Sequence, residues 1–234
     1  MTGNTFTPST PSVPKMILQS GVVQVEVVEG DLQLGYSDKI FVLDSNGSVK
    51  ILNTQTYNTD QIIMNGGVKS ISGGRHLLML MWDGSVWGVG NNEFGQLGNG
   101  QDRRNNPNFV PFDKPIKIST FNDVASISAG YSHSLLVKED GSLWGMGENW
   151  RGELGINKNE STYTDLDETG SPYALENIPV QILSSGVSQI SAGQNNSIFI
   201  KTDGSLWGMG YNMSGQLGLG TFGTDTARFE ENVD

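Results

Sequence analysis

His76 and His133 are the only imidazoles in this 234-residue chain, and each stands eight residues ahead of the glycine of an Asp-Gly pair, Gly84 and Gly141. Two imidazoles offer metal ligation or proton transfer near neutral pH. A third copy of the same segment carries Asn196 at that place. A position recurring once per copy serves a hydrogen bond made in every copy, whereas catalytic groups are normally singular. Asp165-Leu-Asp167-Glu168-Thr-Gly170 offers paired carboxylates on a loop. It lacks the third ligand and the distal Glu of a calcium loop, and reads as a solvated acidic loop. The glycine runs are followed by neither Gly-Lys-Ser/Thr nor a helical pattern, which argues against a phosphate cradle. No Gly-x-Ser-x-Gly elbow occurs, and with zero cysteines there is no thiolate nucleophile, disulfide or Cys-based metal site. The expectation is a chain that is not an enzyme, with no catalytic residue, no cofactor and no metal.

These residues are set in a repeat. Gly73–Gly98, Gly130–Gly155 and Gly193–Gly218 align without gaps, each reading Asp-Gly-Ser-x-Trp-Gly-x-Gly and then Gly-(Gln/Glu)-Leu-Gly. A fainter copy, Ile40–Ile51, has Lys50 where the others have Trp87, Trp144 and Trp207. The marker glycines Gly47, Gly84, Gly141 and Gly204 are spaced by 37, 57 and 63 residues, about the length of a large propeller blade. Each copy reads as strand, tight turn, strand, with Asp-Gly suited to a two-residue hairpin turn. This predicts hairpins near 40–52, 76–90, 133–147 and 196–210. Gly88/Gly90, Gly145/Gly147 and Gly208/Gly210 leave the second strand bare, which implies a close backbone neighbour and a narrow centre. The alternating Trp and Met or Val would then pack adjacent blades. The Asn-x-Ser matches at Asn46, Asn159, Asn195 and Asn212 read as turn asparagines.

Gly130-Tyr-Ser-His133-Ser-Leu-Leu-Val, Asp83-Gly84 through Gly90-Asn-Asn92, and Gly215-Gln-Leu-Gly-Leu-Gly220 resemble the elements of the RCC1-type (regulator of chromosome condensation) repeat family. The resemblance implies an all-β propeller. The family usually closes with seven blades, and this chain has three clear copies and one degenerate copy. The expectation is therefore about four blades in a partial ring or arc over residues 19–220, preceded by a flexible Thr/Ser/Pro-rich arm at 1–18 and followed by an acidic tail at 221–234. The alternating run Gly21–Val28 is a candidate closing strand, and the arm is expected to dock on a neighbour.

A formal net charge of −11 with no Lys/Arg cluster makes nucleic acid and anionic membrane poor partners. The longest apolar stretches, such as Leu77 to Trp82, fall far short of the roughly 20 residues that span a bilayer. The amino terminus lacks the basic start and apolar run of a secretory signal, so a cytoplasmic or virion-associated location is expected. Where the template varies, just before Gly-(Gln/Glu)-Leu-Gly, the copies carry Phe94, Trp150 with Arg151, and Met213. With Tyr163, Asp165 and Asp167 of the 157–179 insertion, these form the candidate interaction surface, the bland alternative being local packing over the blade edge. The leading functional expectation is a non-enzymatic structural or protein-binding module of a larger assembly, such as a phage or virion component, with proteins or copies of itself as partners. The resemblance also implies a regulator, by guanine-nucleotide exchange or another signalling interaction. A carbohydrate-binding or carbohydrate-active protein using the 157–179 carboxylates is a third reading.

Overall fold

The computed structural model describes residues 18, 20–30, 37–52, 59–104, 114–118, 121–156 and 174–220. The expected arm (apart from Leu18), the acidic tail, and Tyr163, Asp165 and Asp167 lie outside the described residues. Every described element is a strand, and each sheet is an antiparallel meander. Blade 1 comprises β1 (Val22–Val28), β2 (Lys39–Asp44), β3 (Val49–Leu52) and β4 (Thr59–Met64). Blade 2 comprises β5 (Val68–Gly73), β6 (His76–Met81), β7 (Val86–Gly90) and β8 (Ile116–Lys117). Blade 3 has β9 (Val124–Ala129), β10 (His133–Lys138), β11 (Leu143–Glu148) and β12 (Leu175–Leu183). Blade 4 has three strands among the described residues, β13 (Val187–Ala192), β14 (Asn196–Lys201) and β15 (Leu206–Gly210). No described helix is long and apolar enough to cross a membrane.

The first strand of each blade is innermost: β1 packs on β5, β5 on β9 and β9 on β13. Gly21–Val28 is thus not a closing strand for the last blade, because β1 pairs with β2 and opens blade 1. Alternation within the hairpin strands assigns one face of each strand to the preceding blade and the other to the following one. Three separate cores result. Leu77, Met79, Val89 and Trp87 face blade 1, while Leu78, Leu80 and Val86 face blade 3, where they meet Val124, Met146 and Trp144. Leu135, Val137 and Leu143 face Val187, Trp207 and Met209 of blade 4. The recurring tryptophans therefore sit between blades.

Polar contacts repeat at the same junctions. Val68, Val124 and Val187 donate their N–H groups to the hairpin carbonyls of Gly47, Gly84 and Gly141 at 3.0, 3.1 and 3.0 Å. Along the inner strands, Glu26 accepts from the Gly73 N–H, Ser72 from Ala129 and Ser128 from Ala192.

Two local features differ from the sequence reading. The hairpin loop has three residues: Met81 N–H donates to the Ser85 carbonyl and Gly84 N–H to the Met81 carbonyl, with Gly84 at φ 76°. A two-residue turn of the Asp-Gly kind would need positive φ at Asp83 as well. Instead Asp83 accepts from Ser85 N–H at 2.9 Å and closes an Asx turn, repeated by Asp140 and Asp203. The glycines of Gly-x-Gly, in turn, do not lie at the axis. They are on the third strand out, and a Cβ on Gly88 or Gly145 would stand 2.7 or 2.8 Å from the side chain of Leu97 or Leu154. In blades 2, 3 and 4 the Gly-(Gln/Glu)-Leu-Gly loop thus folds back and seats its leucine on its own bare strand.

Candidate protein-binding face

The hairpins point to one end of the arc, and the Gly-x-x-His turns and Gly-(Gln/Glu)-Leu-Gly loops share the other. Backbone bonds tie the turns to the loops, Asn91 N–H donating to Arg75, Glu148 to Ser132 and Tyr211 to Asn195. Ile156 and Ala174, which flank residues 157–173 in sequence, both lie at this end.

His76 and His133 are wholly buried below the turns, away from the surface of this face. His76 Nε2 lies 2.6 Å from Ser134 Oγ, and Ser134 donates its proton to the Gln96 carbonyl at 2.8 Å. His133, Ser197 and the Glu153 carbonyl repeat this at 2.8 and 2.8 Å. With its one proton committed to a carbonyl, each serine can only accept from the imidazole, which assigns the Nε2–H tautomer. Burial holds His76 and His133 neutral, pulling their pKa values down to about 3 and about 4. Nδ1 of each has no hydrogen-bond partner among the described residues, so an added proton there would find no acceptor. The histidines therefore do bond once per copy, but to the next blade and not within their own.

The loops are self-capped. Asn92, Asn149 and Asn212 accept from the N–H groups of Leu97, Leu154 and Leu217 at 2.8, 2.9 and 3.0 Å. Asn92 also donates to Asn99 and to the Gln101 carbonyl. Asn92→Ala is expected to destabilise blade 2 by about 1–2 kcal/mol, through the buried Leu97 N–H left without an acceptor, read as a lowered urea midpoint with an unchanged slope. Gln96, buried in blade 2, accepts from Phe94 N–H at 2.9 Å and donates to Asn91 at 3.0 Å. In blade 3 those two places hold Glu153 and Glu148. Glu153 keeps the first bond, accepting from Arg151 N–H at 2.9 Å, but its Oε1 is buried without a partner among the described residues. Burial, and then the neighbouring Glu148 charge, push Glu153 up to about 7. Burial raises Glu148 too, against the pull of a Ser132 hydrogen bond and of Arg151, Arg103 and Arg75.

Around these carboxyls the guanidiniums lie over rings. Arg75 is 4.8 Å from the Tyr131 centroid, Arg103 is 5.5 Å from Phe94, and Arg151 is 4.4 Å from Tyr211. Such stacking holds charge and planar surface together at the rim of a face. Phe94 and Arg151 are half-buried, whereas Trp150 is 51% and Met213 41% exposed. Inside this rim, at the axis, lies an open depression of about 270 Å³ lined by Glu29, Gly74, Gly130, Tyr131, Gly193 and Gln194. Sequence reading missed Arg75, Arg103, Tyr131, Tyr211 and the Glu148/Glu153 pair. The last was signalled by the single acidic variant of Gly-Gln-Leu-Gly.

No group of three or more His, Asp or Glu side chains suited to a metal occurs among the described residues. The arrangement suits recognition: a rigid repeating scaffold carrying non-repeating aromatic, arginine and methionine side chains on one face.

A family model described as the regulator of chromosome condensation (RCC1) repeat matches residues 83–137 and 140–200, and a second of the same description matches 124–153 and 187–216. The human protein RCC2 is 30% identical over 155 residues, covering 65% of this chain and 26% of that protein. The guanine nucleotide exchange factor SRM1 of Saccharomyces cerevisiae is 30% identical over 164 residues, 66% of this chain and 32% of that one. The chain thus spans about a quarter to a third of these curated relatives. The crystal structure of Prp20p from Saccharomyces cerevisiae shares the fold with a TM-score of 0.72 at 24% identity, covering 96% of this chain and 52% of that one.

Proposed function

Because the chain belongs to the RCC1 repeat family, we propose that it is a protein-binding propeller module of the regulatory kind, docking a protein partner on its loop face. The observation that carries this reading is the exposure of Trp150 and Met213 beside stacked Arg151 and Tyr211, at positions that differ from blade to blade. Large exposed anchors around an axial depression are what a protein interface uses. A repeat family named for a regulator and a relative named as a guanine nucleotide exchange factor favour this reading over a virion component. Prp20p is described with binding properties to Gsp1p and histones. By analogy, a small GTPase is the first partner class to try, and the net charge of −11 argues against binding nucleic acid directly.

Release of a fluorescent guanine nucleotide from a panel of small GTPases, with and without the chain, tests exchange; direct titration tests binding. The variant carrying Trp150→Ala and Met213→Ala is expected to weaken partner binding by roughly tenfold or more. Its unfolding transition should stay within about 0.5 kcal/mol of the parent, as for exposed positions. A partner that binds parent and variant equally well would place the interface elsewhere.

A further inference from the structure

The two ends of the arc carry the two halves of one unmade junction. In the three junctions within the chain, the hairpin glycine of one blade presses on the next blade's backbone. A Cβ on Gly47, Gly84 or Gly141 would stand 3.0, 2.8 or 3.0 Å from the N atom of Gly67, Asp123 or Gly186. Gly204, the fourth such glycine, has nothing within 4 Å among the described residues. The apolar residues that accompany it are bare in the same way. Leu206 is 51% exposed, whereas its counterparts Val86 and Leu143 are fully buried. Ile198 is 41% exposed where Leu78 and Leu135 are fully buried. Ser191, matching Ser72 and Ser128, is exposed.

At the opposite end the receiving half is bare. Val22 is 40% exposed, while Val68, Val124 and Val187, the valines that receive a hairpin glycine, are 2, 2 and 3% exposed. Val23, Val25 and Val27 extend this into an exposed valine stripe along β1.

We propose that the open face of blade 4 receives blade 1 of a second copy of this chain, so that two arcs join head to tail at both ends. Blade 1 continues the series, offering the N–H, valine and inner-strand edge that blades 2, 3 and 4 offer to their predecessors. The pairs Val49/Val68, Val86/Val124 and Leu143/Val187 each share one interblade core, and Leu206 with Val22 of the other copy completes the series. A head-to-tail contact that closes after two copies is finite, and it leaves no open apolar face. The loop face takes no part, so this assembly stands or falls independently of partner binding.

Light scattering across a dilution series of the full chain is expected to give a dimer, and Leu206→Lys is expected to raise its dissociation constant by at least tenfold. Because the chain has no cysteine, single Val22→Cys and Leu206→Cys variants report the geometry with a short bis-maleimide. The two variants mixed should cross-link to each other and neither should cross-link to itself. A folded monomer overturns the proposal. So does a dimer that links Val22→Cys to itself, or a doubly substituted chain that links only within one copy.

Discussion

Replacing Glu153 by glutamine is expected to stabilise the protein by about 3 kcal/mol above neutral pH, a gain that fades as the pH falls toward about 4.5. Glu153 is raised by burial and by Glu148 to about 7, against an ordinary 4.5. Between those values the folded chain holds a proton that the unfolded chain has released. Stability therefore falls as pH rises through that window, and the full penalty applies above about 7. Blades 2 and 4 already carry Gln96 and Gln216 at this place, and Gln96 shows what the amide does, donating to Asn91 at 3.0 Å. In blade 3 the new amide would donate to Glu148, turning a crowded pair of carboxyls into an amide–carboxylate bond. Urea midpoints at pH values from about 5 to about 8 check it: the advantage of Glu153→Gln over the parent should grow as the pH rises, the histidine contribution being common to both. Parallel pH profiles for the two would mean that Glu153 is ionised in the folded protein throughout.

In the Glu153→Gln background, lowering the pH from about 7 to about 5 is expected to cost about 4 kcal/mol, shared by His76 and His133. Both are depressed by burial, to about 3 and about 4 from an ordinary 6.5. Below 6.5 the unfolded chain takes up protons that the folded chain refuses, so stability is lost as pH falls toward the folded values. At about pH 5 the cost is about 2 kcal/mol per imidazole, whatever the exact folded pKa. His133→Asn, which copies the residue at Asn196, should roughly halve the acid slope even if it lowers stability at pH 7. An unchanged slope would mean that His133 titrates normally in the folded state.

The propeller architecture was legible because the hairpin chemistry is local: Asp-Gly-Ser sets an Asx turn, and alternation around it sets the two faces. Register along one hairpin does not reveal which strand lies nearest the axis, and this is why Gly88 and Gly145 read as a crowded centre. Their real neighbours, Leu97 and Leu154, stand nine residues downstream in the same template. The histidines were legible as recurring bonds but not in direction, since Ser134 and Ser197 are 58 and 64 residues away. A trace of the pairing is nevertheless present. Blade 2 has Leu77 at the serine place, and the blade before it has Lys39 where histidine would be. Of the candidate surface, Phe94, Trp150, Arg151 and Met213 stand at the loop end. The stacked pairs Arg75 with Tyr131 and Arg151 with Tyr211 escaped notice because each joins two copies that meet only when the blades are assembled, and Arg103 because it lies in the insertion outside the repeated template, although it stacks on Phe94 of its own blade.

The histidine-to-serine contact gives blade 3 both a plug and a socket, blade 2 the plug alone and blade 4 the socket alone, and so makes the junction the heritable unit of this architecture. A tandem duplication of blade 3 would be self-consistent, since the imidazole of one copy would meet the serine of the next. Transplanting blade 2 behind blade 3 would bring His133 against Leu77 and strand a buried N–H. Blades of this chain can multiply in place more readily than they can be shuffled, and two adjacent copies must change together before either can be exchanged.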